Sequence, residues 1–125
     1  MTVSTEVDEK RNLIIHHFSE SINLSSILKT IENTVNNPKY QLGMNAIWVC
    51  NDGTVVDMTS EETRKVSEFA RKVFDENGAS YKLALVANDD LAYGMSRVYE
   101  GWSNDRPITI STFRKIEQAL NWMEE

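Results

Sequence analysis

Two periods of apolar residues alternate along this chain, and together they predict its architecture. Asn45 to Cys50 and Leu83 to Ala87 are continuous apolar runs, the pattern of strands covered on both faces. Asn12 to Phe18, with Leu13, Ile14, Ile15 and Phe18, reads as a third strand. Ile108 to Phe113 alternates apolar and small polar residues, as a less fully covered strand does. Between these runs the apolar spacing changes to that of helices. Leu24, Ile27, Leu28, Ile31 and Val35 form one stripe; Val66, Phe69, Ala70, Val73 and Phe74 form a second. Leu91, Met95, Val98 and Trp102 form a third, and Ile116, Ala119, Leu120 and Met123 a fourth.

Turn residues punctuate the pattern at Asn36-Asn37-Pro38, Asn51-Asp52-Gly53, Asn77-Gly78, Asn88-Asp89-Asp90 and Asn104-Asp105-Arg106-Pro107. Thr2 to Lys10 is polar with isolated Val3 and Val7, either a ragged first strand or a tail. The order β-α-β-α-β-α-β-α implies an α/β fold with a mostly parallel sheet of four to five strands, right-handed crossovers and four helices. No repeat or linker interrupts residues 1–125, so a single domain is expected.

Composition narrows the functions open to such a domain. At 125 residues and 41% hydrophobic, the chain can build a core without metal or disulfide support. A formal net charge of -6, with basic residues scattered, argues against nucleic acid or an anionic membrane as the main partner. The lone Cys50 forbids an intramolecular disulfide and fits a reducing compartment. No apolar run approaches the ~20 residues that span a bilayer, and Met1 to Lys10 lacks the order of a signal peptide, so a cytoplasmic protein without membrane insertion is expected.

The richest stretch is Leu83 to Tyr99, a strand, a three-residue polar turn and a helix. Such units place loop polar groups and a helix N-terminus at the carboxyl edge of a sheet, where α/β proteins keep their sites. Within the turn, Asn88, Asp89 and Asp90 have the residue types of helix caps, and two adjacent acids are a weak metal signal. Gly94 costs a helix about 1 kcal/mol relative to Ala, so close approach of another element or a ligand is expected there. Tyr93 and Arg97 lie four residues apart on one face, either as a pocket wall that recognises an anion or as a packing contact with Arg97 paired to Asp90 or Glu100. His16 and His17 point to opposite faces of their strand and cannot share a metal in the ordinary way. Phosphate loops, nucleophile elbows and dinucleotide fingerprints are absent. Tyr99 and Trp122 fall off the inward stripes, which makes them candidates for exposed contact residues.

The chain also resembles the STAS-like family (stage II sporulation protein AA-like, STAS/SEC14-like) over most of Leu13 to Met123. The resemblance is carried by His17-Phe18, Gly43-Met44 leading into Ile47-Trp48, and Leu85-Val86-Ala87 with Asp90-x-x-Tyr93-Gly94-Met95-x-Arg97. Phe113-Arg114 with Glu117-x-Ala119-Leu120-x-Trp122 completes it. It implies a β/α superhelix and two functions without catalysis. The first is a regulatory module that binds a protein partner or a second copy of itself. The second is a SEC14-like binder that holds a small apolar or acyl ligand between helices and sheet, near Asp90, Tyr93, Gly94, Met95, Arg97 and Trp102. The resemblance also places Thr59 and Ser60 where related antagonists carry a phosphorylated hydroxyl. Glu61-Glu62 replaces the small residues expected after that hydroxyl, however, and Thr59 with Glu62 forms a capping box on its own account. No enzyme activity, metal or cofactor is expected.

Overall fold

The two continuous apolar runs become the centre of the sheet. In the computed structural model, which describes residues 3–125, β4 (Asn45–Cys50) and β6 (Lys82–Ala87) lie side by side in parallel. On one flank come β2 (Leu13–Phe18), parallel to β4, and β1 (Val3–Asp8), antiparallel to β2. On the other flank β7 (Thr109–Phe113) runs parallel to β6. The five strands thus stand in the order β1-β2-β4-β6-β7. The polar stretch at the start is therefore a strand as far as it is described; residues 1 and 2 lie outside the described residues.

From β2 to β7 the strand order never reverses, so right-handed crossovers carry α1 (Leu24–Asn36), α2 (Ser60–Val73) and α3 (Asp90–Trp102) to the same face. Ile31, Val66, Ala70 and Phe74 pack there against Trp48 and Tyr99. The final helix, α4 (Ile116–Met123), follows the last strand and covers the opposite face, where Ala119 meets Leu13, Ile15, Ile47, Val49 and Val86. Lys82 fastens it: the ammonium donates to the carbonyls of Trp122 and Glu125, both at 3.0 Å, and lies 5.2 Å from the Trp122 ring centroid. The crossover loops add a second, two-stranded parallel sheet, β3 (Ser21–Ile22) with β5 (Val55–Val56), which the sequence pattern does not announce.

Two helices are rotated from the phase that apolar spacing predicts. On α3, Leu91 and Trp102 are exposed, while Ala92, Ser96 and Tyr99 face the sheet. Tyr99 and Trp122, which fall off the inward stripes, are both partly buried: Tyr99 packs over the sheet on the helical face, and Trp122 on Phe113 with ring centroids 5.5 Å apart. On α1, Val35 is exposed and Thr30 and Thr34 are buried. Both threonine hydroxyls donate to carbonyls one turn back, at 2.8 Å, so their burial leaves no donor unpaired.

One buried ion pair ties the amino-terminal end of this layer together. Arg106, in the loop before β7, has a fully buried side chain, and that of Asp75, just after α2, is 6% exposed. Nε and Nη2 donate to the two Asp75 oxygens at 2.7 and 3.2 Å. Nη1 donates to the Tyr99 hydroxyl at 2.8 Å, and Nη2 to the Tyr81 hydroxyl at 3.0 Å. Burial opposes the charge on Arg106, but the hydrogen bonds to Asp75 and the two phenols outweigh it and hold the pKa above the ordinary arginine value. Burial raises both phenols, so they stay neutral.

Arg106→Ala is expected to cost about 3–5 kcal/mol in urea unfolding, because it strands the Asp75 carboxylate in the interior. Arg106→Lys should recover little of that, since an ammonium cannot span the carboxylate and both phenols as the planar fork does. Removing both charges, with Arg106→Met and Asp75→Leu, should lose less than Arg106→Ala alone. A loss below about 1 kcal/mol for Arg106→Ala would mean that the pair behaves like an exposed one and holds nothing together.

Candidate functional site

The helical layer is filled unevenly. Towards the amino end of the parallel strands, Tyr40, Phe74, Tyr81 and Tyr99 fill most of the space between helices and sheet, leaving a cavity of about 30 Å³, with Phe74 edge-on to Tyr40 and to Tyr81. Towards the carboxyl end the facing residues are small: Cys50 at the end of β4, Thr63 on α2, and Ala92 and Ser96 on α3. The volume they leave is a cavity of about 100 Å³. Phe18 and Trp48, stacked with ring centroids 5.3 Å apart, form part of its floor. Ile22 and Val56, partners in the two-stranded sheet, and Met58 form a wall, and Ile27 of α1 and Met95 of α3 complete it.

Sites in doubly wound proteins occupy a crevice where the strand order reverses. Here it does not reverse, and the site lies beneath the three helices instead, still at the carboxyl end of the strands. Its polar atoms are few and partly committed. The Thr63 hydroxyl donates to the Thr59 carbonyl at 3.0 Å, and the Ser96 hydroxyl to the Ala92 carbonyl at 2.9 Å. Burial pushes the Cys50 thiol above its ordinary pKa, and the charges of Asp89 and Asp52 push it further; a hydrogen bond from Thr54 works the other way. The thiol is therefore protonated at neutral pH and serves as a small apolar wall rather than a nucleophile.

Of the residues expected near a ligand, Met95 lines the cavity, while Asp90, Tyr93, Gly94, Arg97 and Trp102 are not part of its lining; Tyr99 and Cys50, noted in the sequence for other reasons, line it too. Arg97 is 61% exposed, with only a loose contact to Glu100 at 3.7 Å. The Tyr93 ring takes a different cation: the Arg114 guanidinium sits 3.9 Å from its centroid. Arg114 also donates to Asp90 and to the Asn88 carbonyl, both at 2.8 Å, so the turn is bound to the residue that follows β7. Asp89 is the cap of α3, accepting from the amides of Leu91 and Ala92 at 3.2 and 3.3 Å. Nothing approaches Gly94: a Cβ built there would meet no atom within 4 Å. The close approach expected at this glycine is absent, and Trp102 is exposed on the outer side of α3.

Thr59 and Ser60 lie at the start of α2, beside Met58 and Thr63 of the cavity wall. The capping box forms in full, with Thr59 Oγ1 accepting from the Glu62 amide and the Glu62 carboxylate from the Thr59 amide, both at 3.0 Å. His16 is buried with its ring nitrogens against the hydroxyls of Thr5 (2.8 Å) and Thr34 (3.2 Å), while His17 faces the other way and meets Glu6 at 3.0 Å. Among the described residues, no group of three or more His, Cys, Asp or Glu could hold a metal ion. No helix among them is long and apolar enough to cross a membrane.

Most of the cavity was out of reach of sequence reasoning. Phe18, Ile22, Val56 and Met58 come from four different segments, and the pairing of β3 with β5 has no local signal. The small residues Ala92 and Ser96, next to an apolar stripe, were the one available hint.

Burial, and then the neighbouring His17, lower the His16 pKa from 6.5 to about 4. The unfolded chain therefore binds the proton first. The stability that neutral His16 contributes is complete above pH 6.5, falls as pH drops through that window, and levels off below about 4. Relative to His16→Gln, the wild type is expected to lose about 3 kcal/mol across it, measured by urea unfolding at stepped pH. A difference that does not change with pH would show that His16 titrates as if exposed.

Comparison with family models finds no match to this chain, and comparisons with curated proteins and with solved structures find none either.

Proposed function

We propose that this chain is a binding module for a small apolar molecule, held between the sheet and helices α1 to α3. The observation that carries the proposal is the cavity itself: about 100 Å³, with apolar walls, at the carboxyl end of the strands. Its size sets the scale of the ligand. A dry cavity of roughly 150 Å³ accepts benzene; this one has about two-thirds of that volume but is partly open to solvent, so a single ring or a chain of about six carbons can enter with its far end reaching the opening. Burying about six methylene groups at ~0.8 kcal/mol each yields about 5 kcal/mol, a dissociation constant of a few tenths of a millimolar. The SEC14-like side of the STAS-like resemblance supports the same reading.

Trp48 lines the cavity and can report on its occupancy. Titration with benzene or 1-hexanol should give a saturable change in tryptophan fluorescence, with a midpoint of about 0.1–1 mM. Ala92→Phe, which projects a ring into the cavity from α3, should abolish that change while far-UV circular dichroism stays the same. No saturable response up to roughly 10 mM would overturn the proposal.

A second reading, contact with another protein, has its own observation. Leu91, Met95, Val98 and Trp102 form a stripe along α3, of which Leu91 and Trp102 are 62% and 41% exposed. On this reading the stripe is where a second copy of the chain docks, as the regulatory side of the resemblance implies. Light scattering should then give a dimer mass that Leu91→Glu with Trp102→Glu reduces to a monomer. A monomer at all concentrations for the wild type would dispose of it.

A further inference from the structure

The cavity's hydrogen-bonding inventory specifies more than its size does, and we infer that it takes an uncharged ligand of the short alcohol class and rejects the carboxylate of the same skeleton. The inference rests on the apolar-ligand reading above. Among the described residues that line the cavity there is no Lys, Arg or His. Thr63 and Ser96 have committed their hydroxyl protons to helix carbonyls, so their oxygens offer lone pairs and no donor. A ligand hydroxyl can donate to either oxygen. A carboxylate would set oxygen against oxygen there, and would lose its hydration with no cation to replace it; the other polar groups of the lining, the Trp48 indole N–H, the Tyr99 hydroxyl and the Cys50 thiol, are uncharged.

The surroundings act in the same direction. Asp89 is fixed at the cap of α3 by two backbone amides, one of them that of Ala92 in the cavity wall. Its charge and that of Asp52 both disfavour a negative charge on the Cys50 thiol at the strand end. The nearest arginines of the turn are directed elsewhere. Arg114 is held by Asp90, Tyr93 and the Asn88 carbonyl, and Arg97 points to solvent beside Glu100. An anion entering from this edge meets carboxylates, and neither guanidinium belongs to the cavity lining.

The test compares 1-hexanol with hexanoate at neutral pH by isothermal titration calorimetry on the full chain. Hexanoate is expected to bind at least about tenfold more weakly than 1-hexanol, because its charge is buried without a partner. Asp89→Asn keeps the helix cap, since Asn and Asp cap equally well, and should narrow the gap about two- to threefold by raising hexanoate affinity. Hexanoate binding as tightly as 1-hexanol, or within a few-fold of it, would overturn this inference and leave the apolar-ligand reading standing. An unchanged gap in Asp89→Asn would overturn the part assigned to Asp89. Failure of 1-hexanol, hexanoate and benzene alike would overturn both readings.

Discussion

The contact on which the rest of this structure depends is the buried pair of Arg106 with Asp75. It joins the end of α2, the end of α3 through Tyr99, the start of β6 through Tyr81, and the loop that leads into β7. Those segments are far apart in sequence, and the five N–H donors of one guanidinium meet at their junction. A buried charge pair of this kind contributes less to stability than its Coulomb energy suggests, because both ions are taken out of water. What it does supply is position. With both phenols neutral and both charges satisfied, only one arrangement of these four segments leaves no polar group stranded.

That constraint accounts for the uneven filling of the helical layer. The amino end is fixed by the ion pair and packed with aromatic rings, so the distance from α2 and α3 to the sheet is set there. At the carboxyl end the same helices continue along the same lines, but Thr63, Ala92 and Ser96 are too small to bridge the gap to Cys50 and Trp48. Interiors ordinarily close around missing volume by moving the surrounding elements. Here the movement is opposed at one end by the guanidinium junction and at the other by the Arg114 contacts that hold the Asn88–Asp90 turn.

Much of the fold was legible in the sequence, because it depends on local signals. Ala46–Cys50 is apolar along its whole length and is central; Thr59 and Glu62 are spaced as a capping box and form one. The site was less legible, and α3 shows why. Reading inward faces from apolar spacing selects Leu91, Met95, Val98 and Trp102, yet the helix turns Ala92, Ser96 and Tyr99 to the sheet. Small and hydroxyl-bearing residues look polar or neutral in a pattern, and Tyr99 turns inward to a partner that no local pattern shows: Arg106, seven residues on, donates to its hydroxyl. The Arg106 junction left no trace in the pattern, since an arginine before a proline in a loop reads as a helix stop. Gly94 misled in the opposite way: its cost to the helix suggested a close contact, and the structure leaves it open to solvent.

The cavity also has an energetic meaning that does not depend on its occupant. A fully enclosed void of this volume costs about 2 kcal/mol at the rate measured for core truncations, an upper bound for this cavity, which is partly open to solvent, and a sizeable fraction of the net stability of a small domain. Larger apolar side chains at 92 and 96 would remove that cost, and helix propensity alone does not oppose a Leu or Met at either position. A ligand that enters the cavity recovers the same contacts from outside the chain, and does so only when it is present. On the binding reading proposed above, the stability of this domain would rise with ligand concentration by RT ln(1 + [L]/Kd). The Arg106 junction fixes one end of the helical layer and the small residues leave space at the other, and that proposal joins the two features.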